Sequence, residues 1–283
     1  MFFYHQILFD FDSVGSRKKA FVDSGENHKL KANIHEFRGS FEYKCWTLSE
    51  AYEFTQINYP FLTCIFDIDT KFNIIKCDFF RYLILYHFGG LYTDIDFLCI
   101  KPLDEFVQSI LDSKLQNVVN HKETPSIILT EEWCDSIQLT QSIHNGFIYS
   151  QSKKHPFWIQ LIMDIYEDLI VKKTPVESES DVYVLSGPKK LCNFYLQHKH
   201  IFIGISVLPY YYCCPYIAVL QDPHDNDQKI ILCNSQRVTV PSISNSIWVF
   251  FTMNNYDEIK LLCPESFFVN VKLKSGSMWK ENE

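Results

Sequence analysis

Asp94 and Asp96 stand one residue apart in a largely apolar run, residues 91–100, LYTDIDFLCI. Alternation along a strand sends residues i and i+2 to the same face. The run therefore predicts a strand with two carboxylates side by side. Adjacent acids in apolar surroundings repel each other and lose solvation, so such a pair persists most easily where a cation holds it. Oxygen-only ligands suit Mn²⁺ or Mg²⁺, ions that usually bind substrate phosphates as well. The spacing points to a metal-bound diphosphate. Thirteen to sixteen residues earlier, Asp78 and Arg81 lie three apart on a predicted helix and share a face. They either satisfy one another as an intrahelical ion pair or offer a carboxylate to sugar hydroxyls and a guanidinium to phosphate or sugar oxygens. Gly89-Gly90 between helix and strand is either a plain helix C-cap or a place where a ligand approaches the backbone.

Two further Asp-x-Asp pairs compete. Asp10/Asp12 in ILFDFDSVGS and Asp67/Asp69 in TCIFDIDTKF each follow what reads as an apolar strand. That is the layout of haloacid-dehalogenase-type phosphatases, with a nucleophilic first Asp and a general-acid second. The later metal motif of that family is missing: Asp222, Asp225 and Asp227 lack the preceding strand and glycine. Asp10 and Asp12 are expected to begin a solvated loop. Asp67 and Asp69 are expected to flank a turn before the buried helix.

The elements that must position these groups can be read from periodicity. Residues 3–9 and 41–46 read as strands, with Ser49 capping a short helix from Glu50. Residues 77–88 read as a helix buried nearly all round and ended by Gly89. Pro102 stops the acid-bearing strand, and residues 103–115 form an amphipathic helix. Residues 126–129 and 146–150 read as strands. Pro156 opens a long helix over 157–172. Residues 172–181 are polar and read as loop, and Ser186-Gly187-Pro188 opens a helix through Tyr195. Late strands are expected at 247–251 and 267–273. Early strands alternate with helices, so the class is α/β.

Composition narrows the partners. The chain has 283 residues, 47% hydrophobic and 16% aromatic, which describes a protein with a large core. A net charge of -8 without a cluster of Lys and Arg argues against nucleic acid or an anionic membrane surface. None of the ten cysteines forms a C-x-x-C pair, so a structural zinc site is not supported. Cys77 and Cys99 read as small core residues. The N-terminal MFFYHQILFDFD does not resemble a signal peptide, which favours reduced thiols and a cytoplasmic setting. Residues 201–221 are uncharged and long enough to span a bilayer. Pro209, Pro215 and the central Tyr210-Tyr211-Tyr212 argue instead for strand, loop and apolar segment. His5, His155, Trp46 and Trp158 are expected to be structural.

The pattern K-x-D-x-x-R-Y-x-x-L-x-x-x-G-G-x-Y-x-D-x-D, followed by K-P-L-D, resembles the signature of DXD glycosyltransferases of family 32. Asp78, Arg81, Tyr82, Leu85, Gly89, Gly90, Tyr92, Asp94, Asp96, Lys101, Pro102, Leu103 and Asp104 carry it. Weaker matches keep the family's order: Tyr4-His5-Gln6-Ile7, Tyr43-Lys44-Cys45-Trp46, Asn145-Gly146-Phe147, His155-Pro156-Phe157-Trp158 and Ser186-Gly187-Pro188. The resemblance implies one GT-A-type nucleotide-sugar-binding domain over residues 1–283, a central mixed sheet flanked by helices, with its core at 76–104. It implies a retaining hexosyltransferase that uses Mn²⁺ or Mg²⁺, with GDP-mannose or a UDP-hexose as donor and a glycan, glycolipid or protein as acceptor. By the same resemblance Asp96 ligates the metal directly and Asp94 through water or nucleotide. Asp78 and Arg81 grip the donor sugar, and Asn145, Gly90, Tyr92, Ser186 and Gly187 line the substrate. Leu8 stands where the family usually has a base-covering Trp, so the nucleotide stays open. For the closing segment, either Ser277-Met278-Trp279 in 274–283, with Ser277 reaching the metal, or Asn254-Asn255-Tyr256 is available.

Overall fold

The computed structural model describes residues 2–9, 25–111, 124–132, 142–213, 217–222, 225–233, 236–238 and 266–270. Asp10, Asp12, Asn254, Asn255, Ser277, the closing segment 274–283 and the expected strand 247–251 lie outside the described residues.

A six-stranded mixed sheet organises the molecule. Its strands are β1 (Phe3–Ile7), β2 (Glu42–Trp46), β3 (Gly90–Thr93), β5 (Ile127–Glu131), β6 (Ile143–Ser150) and β7 (Ile205–Leu208), in the order β2-β1-β3-β6-β5-β7. β1 runs parallel to both β2 and β3, β6 is antiparallel to β3 and β5, and β7 is parallel to β5. The central strands β3, β5 and β6 are largely buried on both faces, as expected when both are covered. Tyr92, Ile127, Leu129 and Ile148 join one core, while Leu91, Ile128, Phe147 and Tyr149 join the other. The first core is filled by α3 (Ile74–Phe88), α5 (Pro156–Tyr166) and α7 (Pro188–His198). The second takes Ile34 and Phe37 of α1 (Gly25–Phe37) and Leu103, Phe106 and Ile110 of α4 (Leu103–Leu111). This is the α/β class read from the sequence.

Helix α3 sits at the centre. Every residue from Cys77 to Leu85 is buried, so the helix shows no solvent stripe. It ends at Gly89, whose φ of 66° no side-chain-bearing residue adopts easily, and whose N–H closes on Leu85 O at 2.9 Å. Gly90 follows with φ 91°, and a Cβ there would overlap the Phe3 carbonyl oxygen. The second glycine therefore serves the close approach of β3 to β1.

Several local expectations are corrected. The acid-bearing strand is not continuous: β3 ends at Thr93, residues 94–96 form a turn, and β4 (Phe97–Cys99) leaves the sheet. There β4 pairs antiparallel with β11 (Phe268–Asn270), and Asn33 clamps it by donating to Cys99 O and accepting from Cys99 N. The cap of α2 (Leu48–Asn58) is Thr47 rather than Ser49. Thr47 and Glu50 form a capping box, which satisfies two orphan N–H groups where a Ser49 cap would satisfy one. Residues 60–65, before Asp67, form a 3₁₀ helix rather than a strand, because Pro60 supplies the first-turn φ of a helix. The expected loop 172–181 is loop through Ser178 and ends three residues early, where a Ser178–Asp181 capping box starts α6 (Glu179–Leu185). The apolar stretch 201–221 contains β7, a 3₁₀ turn at Tyr210–Tyr212 and β8 (Ile217–Asp222). Among the described residues no helix is long and apolar enough to cross a membrane. β8 pairs with β9 (Asp225–Cys233), and β9 with β10 (Gln236–Val238), in a separate antiparallel sheet.

His5 is structural, as expected. It is fully buried on β1, and Trp46 Nε1 donates to its Nδ1 at 3.2 Å. That leaves the Nε2–H to donate to Gly89 O at 3.2 Å. Burial lowers its pKa from 6.5 to about 3. Between those values the unfolded chain binds a proton that the native state does not, so stability is full above pH 6.5 and falls as pH drops. Denaturant titrations at pH 7 and pH 5.5 should show wild type losing about 1 kcal/mol more than His5→Gln, given roughly 1.4 kcal/mol per unit of protonation difference. Equal losses would mean that His5 can be protonated in the fold. Gly90→Ala should destabilise by at least about 2 kcal/mol, since it combines a strained φ with backbone overlap. A shift below about 0.5 kcal/mol would show that β1 and β3 can separate.

Candidate functional site

The acidic turn is tied to the sheet on one side and to α3 beneath it. The Asp94 N–H donates to Gly146 O at 2.9 Å, the last link between this stretch and β6, and Phe97 N closes the turn on Asp94 O at 3.3 Å. With the ladder ended at Asp94, the chain can bend, and both Asp94 and Asp96 keep partial exposure.

Arg81 is the hub of what lies below. Its Nη1 donates to Asp94 Oδ1 at 3.1 Å and to Asn145 O at 2.8 Å. Its Nη2 pairs with Asp78 Oδ1 at 2.8 Å, and its guanidinium carbon lies 4.8 Å from the centre of the Tyr92 ring. The buried Nε has no hydrogen-bond partner among the described residues. Burial works against the charge, but Tyr92, Asp94 and Asp78 hold the pKa well above its ordinary value.

Asp78 accepts on both oxygens, from Arg81 and from Asn145 Nδ2 (3.0 Å) on Oδ1, and from Ser186 Oγ (3.0 Å) on Oδ2. Burial pushes its pKa up, against the pull of Arg81 and of the Ser186 and Asn145 donors. Three converging donors favour the ionised carboxylate over the protonated one. Tyr82 OH donates to Ser186 O at 3.0 Å, completing the link to the start of α7.

Asp78, Arg81, Tyr92, Asp94, Asn145 and Ser186 thus form one hydrogen-bonded constellation. Asp78 and Arg81 make the intrahelical ion pair of the simpler reading, but that pair also reaches three other elements. Gly90 stands apart, packed against Phe3, and Gly187 caps α7 against Tyr183. Asp104 of K-P-L-D serves the scaffold: it accepts from Ser40 N and from Ser40 Oγ (2.6 Å), latching α4 to the turn after α1. His155 caps α5 by accepting from Phe157 N at 3.3 Å, and Trp158 is fully buried.

The sequence reading passed over His144. It precedes Asn145 but points to the other face of β6, and its Nδ1 accepts from Gly146 N at 2.9 Å. Burial lowers its pKa, against Asp94 and Glu132, which raise it. The signal available was the small residue at 146, two positions along the same strand face. Tyr92 OH was also missed as the closest donor to Asp94 Oδ1, at 2.6 Å.

The donor set fits a hard divalent cation bound together with a substrate. Asp94 Oδ1 is occupied by Tyr92 and Arg81, which leaves Asp94 Oδ2, with the Asp96 carboxylate in the same turn. Among the described residues no three His, Cys, Asp or Glu side chains group to hold an ion. Two carboxylates short of a closed shell suit Mg²⁺ or Mn²⁺, which keep waters and take substrate phosphates as ligands.

An α/β sheet with a carboxylate-bearing turn at the end of a central strand is a frame for binding a small anionic ligand. Residues 26–115, from α1 through the acidic turn and α4, match the family described as "Glycosyltransferase sugar-binding region containing DXD motif". Through this segment the chain is similar to that DXD-motif glycosyltransferase family. It is 28% identical over 131 residues to inositol phosphoceramide mannosyltransferase 1 of Schizosaccharomyces pombe, covering 46% of this chain and 34% of that protein. It is 36% identical over 102 residues to the initiation-specific alpha-1,6-mannosyltransferase of Candida albicans, covering 33% of this chain and 24% of that one. The chain thus spans about a third or less of the length of these relatives. Among solved structures, the PaToxG glycosyltransferase overlaps loosely, with a TM-score of 0.41 at 14% identity, over 70% of this chain and 69% of that one.

Arg81→Lys should destabilise the fold by about 2 kcal/mol or more, because one ammonium cannot bridge Asp78, Asp94 and Asn145 from within the core. A cost near the roughly 0.3–0.5 kcal/mol of an exposed helical pair would mean that the links to Asp94 and Asn145 carry nothing. Urea denaturation of both proteins distinguishes the two.

Proposed function

We propose that the protein is a divalent-metal-dependent glycosyltransferase that moves a hexose from a nucleotide-sugar to a glycan, lipid or protein hydroxyl. Mannose is the favoured hexose, because both relatives described above are mannosyltransferases by name. The observation that carries this reading is the turn at 94–96, which brings two carboxylates together and fixes one Asp94 oxygen from below by Arg81 and Tyr92, leaving Asp94 Oδ2 for a cation. The six-stranded mixed sheet supports a GT-A-type fold, and we extend that domain over residues 1–283 as part of this reading. The competing phosphatase reading has no support at Asp67, which follows a 3₁₀ helix and not a strand.

In this reading Asp96 and Asp94 Oδ2 hold Mn²⁺ or Mg²⁺, which when bound offsets charge on the departing diphosphate. The rest falls to the chain's own groups. Arg81 keeps Asp94 from swinging away. Its unpartnered Nε is buried, so Arg81 acts on the donor through Asp94 rather than by direct contact. Asn145 and Ser186 hold Asp78 so that the guanidinium stays in one plane. Transfer proceeds with retention, the acceptor hydroxyl attacking from the face the phosphate leaves.

Asp96→Asn should abolish transfer while leaving the melting temperature at or above wild type, since it removes a carboxylate from beside another. Assays with GDP-mannose and UDP-glucose, with Mn²⁺ and with excess EDTA, check this. Full activity in EDTA would sink the proposal.

A further inference from the structure

Strand β6 brings a residue to the acidic turn that the metal chemistry does not call for. A Cβ added at Gly146 would fall 2.5 Å from Asp94 Oδ2, and closer still to His144 Cε1. Backbone strain does not require glycine there, since its φ is not positive. What the missing side chain provides is room for the His144 imidazole and the Asp94 carboxylate to meet at one point. The ring is then fixed in a definite state. The Gly146 N–H donates to Nδ1, which makes Nδ1 the lone-pair nitrogen, and a neutral ring must carry its proton on Nε2. Phe97 holds the ring edge-on at 5.8 Å between centres. The one hydrogen bond to the ring among the described residues is the one at Nδ1, and the side chain is only partly buried, so Nε2 is left to a ligand.

This arrangement excludes one role and defines another. A ring with its lone pair turned to the backbone and its proton on the outer nitrogen is no metal ligand. It is an uncharged N–H donor standing beside carboxylates. Those carboxylates repel a diphosphate unless a cation intervenes, whereas an imidazole N–H contacts phosphate oxygen directly. Asp94, Glu132 and Arg81 are the charged groups around it.

We infer that His144 is a donor-binding residue whose Nε2–H hydrogen-bonds a diphosphate oxygen of the nucleotide-sugar, with Gly146 keeping the space that lets it stand beside Asp94. This rests on the reading of the site as one for a nucleotide-sugar.

Side-chain amides separate the two ring nitrogens. Gln places its amide nitrogen near the position of Nε2, and Asn places its own near Nδ1. Binding of GDP and of UDP to the full chain with Mn²⁺ is measured by calorimetry for wild type, His144→Gln and His144→Asn. The better nucleotide should bind His144→Asn about tenfold or more weakly and His144→Gln within about threefold of wild type, the loss expected for one hydrogen bond to a charged acceptor. In turnover, the KM for the sugar donor should rise in His144→Asn with kcat changed less than about threefold, as for a contact made equally in ground and transition states. Equal affinity of wild type and His144→Asn overturns the inference. So does equal loss in both variants, which would show that ring shape and not the outer N–H matters. If His144→Asn melts far below wild type, His144→Phe, which keeps the ring without its nitrogens, takes its place under the same criteria. A wild type that binds neither nucleotide overturns the nucleotide-sugar reading itself, and this inference with it.

Discussion

A guanidinium buried under the sheet is the constraint from which the site follows. Arg81 would be costly to desolvate alone. It is held because Asp78, Asp94 and the Asn145 carbonyl accept its hydrogen bonds from three elements. The helix must therefore be buried on every side, and the strand that bears Asp94 must end within reach of Nη1. The neighbouring strand must present both a carbonyl and an amide at Asn145. The two apolar layers around this ionic centre give it a low dielectric, which strengthens each of its hydrogen bonds and penalises any that is left unmade.

The second organising feature is the loss of pairing after Thr93. Carboxylates side by side on a continuous strand would share a face with core residues. A turn instead brings Asp94 and Asp96 out of the ladder while the Asp94 N–H keeps its tie to Gly146. A cation bound at this turn, as proposed, would need ligands that are fixed yet incompletely satisfied. Asp94 shows how that is reached: one oxygen is spent on orientation by Tyr92 and Arg81, and the other is kept.

Much of this was legible in the residues. The spacing of Asp78, Arg81, Gly89 and Gly90 placed the helix and the break after it correctly, because helix periodicity and glycine punctuation are local signals. The bend at 94–96 was not legible. Nothing in LYTDIDFLCI says that its second half pairs with a segment near residue 268, and β-propensity alone continues the strand. The identity of the α2 cap was decided by a reciprocal pair, Thr47 and Glu50, where a single-residue rule chose Ser49. His144 escaped notice because its role depends on the absence of a side chain two positions on, and sequence patterns do not mark empty space. Gly90 shows the reverse error: a glycine assigned to a ligand is consumed by the packing of β1 against β3.

The pairing of β4 with β11 has a temporal side. Phe97 finds its partner at Asn270, about 170 residues further along the chain. During synthesis the sheet around β1, β3, β5 and β6 can assemble long before that partner leaves the ribosome. The strand leaving the acidic turn then waits with one edge unpaired, beside the Asn33 clamp and the packing of Phe97 on Phe147. Closing so long a loop is entropically costly and comes late. A nascent chain can therefore hold most of its core and still lack the strand pair that anchors the turn, so competence to bind a ligand arrives as one of the last events in its maturation.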